Sequence, residues 1–154
     1  MPPPSAAISI TRALAALVLR AGLGLTLILF HGFPEIRLAW EFVWEDAPWP
    51  LVDHVRALGI PLANFVTPAA VTIGLAAAVA LTIGLLTRIA ATILLAIMVA
   101  AAIGLVSPPA SPLVELAFTY IVGFTALVCL GSGIFSLDAL LSKTPRPVKK
   151  RPLA

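Results

Sequence analysis

Three ionisable side chains inside long apolar stretches are the residues of this sequence best suited to chemistry. Arg20 and His31 lie in one stretch and Glu115 lies in another. An ionisable group in membrane hydrocarbon costs at least about 2.5 kcal/mol, so each of the three needs a partner or a purpose. A buried carboxylate beside an imidazole is a minimal pair for moving a proton. We therefore predict that Glu115 and His31 are catalytic groups for proton transfer.

Helical spacing indicates which of these residues meet. His31 follows Arg20 by eleven residues, which at about 100° per residue returns it to within about 20° of the same helix face. Around Glu115 a second stripe holds smaller and more polar side chains than the leucines and phenylalanines beside it. This stripe comprises Glu115, Thr119, Val122, Ala126 and Cys129. We expect the two stripes to meet inside a helix bundle, with Arg20 extending outward toward Glu115 and His31 near the outer mouth. Arg20 and Thr119 are the ligand-binding candidates.

Each of these residues also has a purely structural interpretation. Arg20 can form an ion pair or extend toward an interface, and His31 can bond to a loop carbonyl at a helix end. Glu115 follows Ser111-Pro112, a typical helix start, so the helix dipole would favour its negative charge. We expect no metal or haem site, because His31 and His54 have no further ligands near them in the sequence. Cys129 is the only cysteine, which excludes an intramolecular disulfide.

The composition is that of a membrane protein. Hydrophobic residues make up 60% of the 154 residues and charged residues 11%, and the mean hydropathy is +1.08, which excludes a soluble enzyme. A membrane-spanning helix needs roughly 20 apolar residues, and four segments approach that length: 13–33, 61–86, 89–106 and 112–130. We predict an all-α four-helix bundle over residues 1–141, with a retained first helix, and a disordered basic tail over 142–154.

The positive charges predict the orientation of these helices. One side of the membrane would hold Arg12, Arg88, Lys143, Arg146, Lys149, Lys150 and Arg151, and the other Arg37 and Arg56. By the positive-inside rule both termini are cytoplasmic. The basic tail is then a topology signal facing anionic lipid, and nucleic acid is not an expected partner.

The outer segment between the first two spans carries all three tryptophans. We expect Gly32 and Pro34 to break the first helix and an amphipathic interfacial helix to follow, with Trp40 and Trp44 on one face and Arg37 paired to Glu41. This helix would be an anchoring lid, with Trp40 and Trp44 near the ligand, or a docking surface for a partner.

Small residues and the last motif predict the remaining contacts. Ala76, Ala80 and Gly84, like Ala96, Ala100 and Gly104, recur at every fourth residue and would let spans two and three pack closely. In SLDALL, Ser136 would cap a short helix with Asp138 in its first turn.

Four segments together resemble the DoxX family of small four-helix membrane proteins. They are LRAGLGLTLILFHGFPEI, LGIP, GLLTRIAA and ELAFTYIVGFTALVCLGSGIFSLDALL. The resemblance implies a bundle in the bacterial cytoplasmic membrane. Relatives include the membrane subunit of thiosulfate:quinone oxidoreductase, and others associate with redox or detoxifying enzymes.

The resemblance also marks individual positions. Those that match the family are Arg20, His31, Gly32, Arg88, Glu115, Tyr120, Gly131, Ser136 and Asp138. Two positions depart from it: Glu35 stands where the family commonly has a lysine, and Gly74 where it commonly has a glutamate. If that glutamate takes part in quinone or proton chemistry, its role here is lost or has moved to Glu115.

Three functions follow for this chain. The first is a membrane subunit that binds quinone or docks a redox partner, and that is not a complete enzyme alone. The second is a noncatalytic scaffold or assembly factor for a partner enzyme, and either form could be a homo-oligomer. A small transporter has little support, because the sequence shows no pair of discontinuous helices.

Overall fold

The structure, a computed structural model, describes residues 4–105, 112–131 and 136–138, which form helices joined by short turns. The helices are α1 (Pro4–Leu27), α2 (Phe33–Glu45), α3 (Pro50–Ala57), α4 (Ala63–Ile83), α5 (Thr87–Leu105) and α6 (Pro112–Leu130), and a π-helical turn, Ile28–Gly32, joins α1 to α2. The predicted tail 142–154 lies outside the described residues.

This is a multi-pass membrane protein, and the predicted all-α membrane bundle is confirmed. Among the described residues, three helical segments are long and apolar enough to cross a bilayer: Ile10–Glu45, Ala63–Ile83 and Thr87–Gly104. The apolar part of α6, Val114–Leu130, is shorter than these three segments. We call the end of the bundle that carries α2 and α3 the outer end, and the end at the turn between α4 and α5 the inner end.

The first helix does not break where we expected. Gly32 and Pro34 leave the chain helical from Pro4 to Glu45, because the π-turn takes up the irregularity. Its closing bond runs from the Phe33 N–H to the Ile28 carbonyl, five residues back. A proline removes one backbone donor and crowds the carbonyl four residues before it, here that of Phe30. Phe30 lies inside the wider π-turn, which accommodates both effects.

The amphipathic helix predicted after the first span is present as α2. Its inward face includes Ala39, which is buried with Ala63 at the start of α4 and with Val52 of α3. On the outward side Arg37 pairs with Glu41 at 2.9 Å, as the sequence predicted. Because α2 continues α1 without a break, it runs along the outer part of α4 instead of following a loop.

The membrane core forms where α4, α5 and α6 pack in sequence and α1 closes the bundle against α4 and α6. Its fully buried side chains include Leu81, Leu94, Phe124 and Leu127. Glycines let α1 approach closely: a Cβ on Gly24 would collide with Thr82 of α4, and one on Gly123 of α6 would collide with Leu23. Shape fit of this kind holds helices together in lipid, where hydrophobic burial gives no driving force.

The stripe of small residues predicted to join α4 and α5 is only partly buried: Gly84 packs against Arg20 and Gly104 against Leu58. Ala76, Ala96 and Ala100 are exposed, whereas Ala77, Ala78, Ala90 and Ala91 are buried. The difference arises because α4 packs against α1 as well as α5. The buried face of α4 is therefore centred between α1 and α5, about one residue further along the chain than the predicted stripe.

Candidate functional site

An apolar cavity of about 380 Å³ lies in the outer half of the bundle. Its walls come from α4 and α5, from the π-turn that ends α1, and from α3. The lining residues are Leu27, His31, Gly32, Glu35, Leu51, His54, Val55, Leu58, Ile60, Val66, Thr67, Ala70, Val71, Gly74, Leu75, Ala78, Leu94, Ile97, Met98, Ala100, Ala101 and Gly104. Cavities of this volume with a few polar groups in apolar walls are typical of small-molecule sites.

The segment after α2 folds back over the outer end of this cavity. Trp49 is buried, and its indole Nε1 donates a hydrogen bond of 3.0 Å to Oε2 of Glu35. Its ring also packs on Phe42 of α2, with centroids 5.8 Å apart. Gly104 lets the end of α3 pack closely on α5, because a Cβ at this position would lie 2.9 Å from Leu58 Cδ1. The sequence analysis gave Trp49 no role, although its place between Pro48 and Pro50 indicated a constrained turn.

His31 stands on the cavity wall with its ring between the cavity and α6. The ring meets Tyr120 edge to face, with centroids 6.0 Å apart and planes at 90°. Its Nδ1 is buried and has no hydrogen-bond partner among the described residues, so the alternative of a bond to a loop carbonyl is not what the structure shows. Buried polar atoms without partners are rare in folded proteins, so this nitrogen calls for an explanation.

Two further buried hydroxyl groups belong to residues that the sequence did not identify as part of the site. Thr67 Oγ1 and the Tyr120 hydroxyl both lack partners within the described part of the chain. Thr67 lines the cavity from α4, while Tyr120 lies behind His31 and stacks on Phe124 at 5.7 Å. The sequence gave no signal for Thr67, because threonines are common in membrane helices, where their hydroxyls bond to the backbone.

Glu115 and Thr119 are exposed and do not line the cavity. Glu115 lies in the first turn of α6, where the helix dipole favours its charge, and the Thr119 hydroxyl donates to the Glu115 carbonyl at 2.9 Å. The prediction that this stripe faces the bundle interior is wrong. The buried face of α6 is formed by Ala117, Tyr120, Phe124 and Leu127, and the more polar stripe faces outward.

Arg20 is buried, with 2% of its surface exposed, at the inner end of the bundle. Its guanidinium packs against Gly84, where α4 ends, and it interacts electrostatically with Asp138. The expected approach of Arg20 to Glu115 is wrong, because Glu115 begins α6 at the outer end. The length of α4, roughly 30 Å, separates the two ends. This electrostatic interaction with Asp138 agrees with a structural role of Arg20 inside the bundle better than extension toward an interface does.

Asp138 joins the inner turn to the end of the bundle. Its carboxylate accepts hydrogen bonds from the backbone N–H of Leu86 at 2.7 Å, from the N–H of Thr87 at 3.1 Å and from the Thr87 hydroxyl at 3.2 Å. Its own N–H donates to the Gly84 carbonyl at 3.1 Å. Asp138 therefore caps α5, an element distant in sequence, in addition to its place after Ser136. We call Arg20, Thr87 and Asp138 the inner clamp.

Trp40 and Trp44 lie on the outward face of α2 and not on the cavity. Their side chains are 62% and 69% exposed, and their rings lie 5.5 Å apart. Indole rings of membrane proteins concentrate at the level of the lipid headgroups. Trp49 does not line the cavity either, but its bond to Glu35 holds the segment that carries α3, and α3 does line it.

Gly74 lies on the cavity wall, at one of the two positions where the sequence departs from the family that it resembles. A Cβ placed on it would meet only Ile97 Cδ1, at 3.4 Å, an ordinary contact. The missing carboxylate thus corresponds to free space in the cavity, and Glu35 is the carboxylate on its wall. Glu35 stands where the family commonly has a lysine, and here it accepts the hydrogen bond from Trp49.

His31 and His54 both line the cavity, yet the described residues contain no group of three or more His, Cys, Asp or Glu side chains able to hold a metal ion. Cys129 is exposed on α6.

Comparison with known proteins gives one match. The family model described as DoxX matches residues 15–107, which include α1 to α5 apart from the first turns of α1. No curated protein and no solved structure matches the chain.

Proposed function

Because the chain belongs to the DoxX family, we propose that it is a membrane subunit that binds a quinone in the cavity of about 380 Å³ between α4 and α5. The observation that carries this proposal is His31 Nδ1, a buried nitrogen without a partner among the described residues, in a residue that lines a nearly apolar cavity. A quinone supplies two-electron, two-proton redox chemistry, with the electrons coming from a partner redox enzyme. His31 supplies the hydrogen bond to a ring oxygen and the group that holds the proton.

Access from lipid supports a hydrophobic ligand. The exposed residues on the cavity rim are apolar, namely Leu58, Ile60, Val66, Ala100 and Ala101, apart from His54. The deep end is closed by fully buried Ala78 and Leu94. A flat head group can enter from the bilayer while its aliphatic tail stays among the lipid chains, so that no tail-sized volume is needed inside.

The proposal assigns different work to the residues predicted from the sequence. His31 contacts the ligand. Glu35 closes the cavity through Trp49 and is the carboxylate closest to the ligand. Glu115, predicted as a second catalytic group, would act only from outside the cavity, and Arg20 acts on the bundle through the inner clamp. Substitutions at His31 and Glu115 therefore separate the cavity from the exposed stripe.

The test is quinone binding by the protein in nanodiscs of native lipid. Bound quinone is first read by mass spectrometry, and a short-chain benzoquinone is then titrated into the quinone-free protein. His31→Phe keeps the ring contact with Tyr120 and removes the nitrogens, so we expect binding about 3- to 10-fold weaker. Glu115→Gln is the control and should bind like the wild type. Wild-type protein that binds no quinone, or a His31→Phe variant that binds equally well, contradicts the proposal.

We propose that this subunit lies in a bacterial cytoplasmic membrane with both termini inside. Arg12 and Arg88 lie toward the inner end, while Arg37 and Arg56 lie toward the outer end. Together with the basic sequence of the tail, this distribution supports a cytoplasmic inner end by the positive-inside rule. A reporter that works only in the cytoplasm should therefore be active when it is fused to the C-terminus. Activity of a reporter that works only outside the membrane would reverse this orientation.

The second candidate is a scaffold whose partner binds the outward face of α2. The observation that favours it is the pair of exposed rings at Trp40 and Trp44, in contact with each other. Trp40→Ala and Trp44→Ala should then reduce recovery of a copurifying protein, whereas His31→Phe should not. Equal recovery from all three variants counts against this candidate.

A further inference from the structure

Thr67 differs from the other threonines of the membrane helices. Six threonine hydroxyls donate to the carbonyl four residues earlier, at 2.7 to 2.9 Å: Thr26, Thr72, Thr82, Thr92, Thr119 and Thr125. This bond is the usual way to satisfy a hydroxyl in a membrane helix, because lipid offers no alternative. Thr67 Oγ1 makes no such bond, nor any other within the described residues.

The surroundings of Thr67 make this absence costly. Only 2% of the residue is exposed, and it lines the apolar cavity. A hydroxyl held away from water without a partner lowers stability, since the unfolded or open chain would satisfy it. A change of χ1 rotamer can redirect the hydroxyl without moving α4. A partner inside the cavity would satisfy this hydroxyl.

The second polar atom without a partner on this cavity lies at a different depth. Gly32, next to His31, faces Leu75, since a Cβ on it would lie 2.6 Å from Leu75 Cδ1. Leu75 follows Thr67 by eight residues, so the levels of His31 and Thr67 differ by about 12 Å along α4. Between them the α4 wall is formed by Ala70, Val71 and Gly74, which offer no side-chain hydrogen bond.

We propose that Thr67 and His31 bind opposite ends of one lipid-soluble ligand, which carries two hydrogen-bonding groups separated by a short apolar body. This inference rests on the proposed function and specifies the ligand class of the same cavity. A fatty acid or a long-chain alcohol has one polar end and would leave one of the two groups unsatisfied. A ring with oxygens at opposite positions satisfies both. Thr67 is thus the residue that distinguishes ligands with two polar ends from those with one.

The experiment compares two probes that differ by one hydroxyl group. The first is a hydroquinone ring with a ten-carbon alkyl chain, and the second is the phenol with the same chain in which one hydroxyl is absent. Affinities are measured in nanodiscs under reducing, oxygen-free conditions, for the wild type and three variants. Thr67→Val removes the hydroxyl at constant shape, and Thr67→Ser retains it. Thr72→Val is the matched control, because the Thr72 hydroxyl bonds to Pro68 and does not line the cavity.

We expect the wild type to bind the hydroquinone about 3- to 10-fold more tightly than the phenol, the amount that one hydrogen bond typically gives. Thr67→Val should remove this preference and leave the phenol affinity unchanged. Thr67→Ser and Thr72→Val should retain the preference. That pattern would also exclude a trapped water as the sole partner of Thr67, because a water would make the hydroxyl indifferent to the second group of the probe.

Other outcomes overturn the inference in distinguishable ways. If the wild type binds the hydroquinone and Thr67→Val binds it equally well, the two-ended site is wrong while the proposed function stands. If Thr67→Val weakens both probes equally, Thr67 holds a single polar end and the inference fails. If the wild type binds neither probe, the inference and the proposed function fail together.

Discussion

Trp49 donates its indole N–H to Glu35 across a separation of fourteen residues, and this 3.0 Å bond ties the segment that carries α3 to the helix that carries His31. Around the bond, Trp49 and Val52 are buried against α2 and α4. The cover of the cavity is therefore held by one hydrogen bond to a charged group and by a small apolar cluster.

Trp49→Phe should loosen this cover without emptying the cluster. The substitution keeps an aromatic ring in place and leaves the Glu35 carboxylate without its donor, a loss of about 1.5 to 3 kcal/mol for a bond to a charged group. Hydrogen exchange of the α3 amides should become faster, while exchange in α5 should not change. Trp40→Phe, at an exposed position, is the control. Unchanged exchange in α3 would show that the cluster alone holds the cover.

Asp138→Ala should destabilise the whole bundle. It removes the acceptor for the Leu86 and Thr87 donors and leaves the buried Arg20 without the carboxylate that balances its charge. Losing a hydrogen bond to a charged group typically costs about 1.5 to 3 kcal/mol. Unfolding in mixed micelles measures the loss.

Two variants check that interpretation of Asp138. Asp53→Ala removes an exposed pair with Arg56 and should change stability little, since exposed ion pairs contribute little. Arg20→Met combined with Asp138→Ala should lose less than the sum of the two single substitutions. Strict additivity would mean that Arg20 and Asp138 do not stabilise each other.

Gly74→Leu should block the cavity while leaving the bundle folded. The first carbon of the new side chain meets only Ile97, at an ordinary contact distance, and the remaining carbons extend into the space beside it. We expect binding of the short-chain benzoquinone at least tenfold weaker, with no loss of thermal stability. Gly22→Leu is the matched control, because nothing lies within 4 Å of a Cβ there. Retained binding by Gly74→Leu would place the ligand elsewhere.

Two glycines on α1 should respond oppositely to alanine. Gly24→Ala drives a methyl group into Thr82 of α4, and overpacking of this kind costs about 1 to 3 kcal/mol. Gly22→Ala faces open space and should be neutral or stabilising by about 0.5 to 1 kcal/mol, since alanine favours a helix. Thermal unfolding of both variants tests the close approach of α1 to α4, and equal stabilities would contradict it.

Composition and hydropathy were sufficient to predict the helical membrane bundle, and the i, i+4 spacing predicted the Arg37 pair with Glu41. They failed where a helix has several neighbours. The polar stripe at Glu115 faces outward. Its polarity did not reveal this, because in a membrane both the bundle interior and the lipid-facing surface are apolar, so polarity does not identify the buried face. Sequence spacing also cannot relate Arg20 to Asp138, since their contact depends on how the end of the chain returns to the turn between α4 and α5.

The candidate site shows the same division. His31 was recognisable as an ionisable residue in an apolar stretch, and its place on the cavity wall agrees with that interpretation. Thr67 was not recognisable, because its distinction is a bond that it does not make. The roles of Trp49 and Gly74 depend on the packing of α3 over α5 and on the empty space between the helices, which the sequence does not show.

The π-turn at Ile28–Gly32 has a mechanical consequence. Since the chain stays helical from Pro4 to Glu45, α1 and α2 form one continuous helical rod, about 60 Å long when measured along its helix axis. Trp44 and His31 lie on that rod about 20 Å apart. A flexible loop would absorb a push applied at Trp44, but a continuous helix transmits it. Any molecule that tilts or turns the outer end of the rod therefore moves the imidazole on the cavity wall.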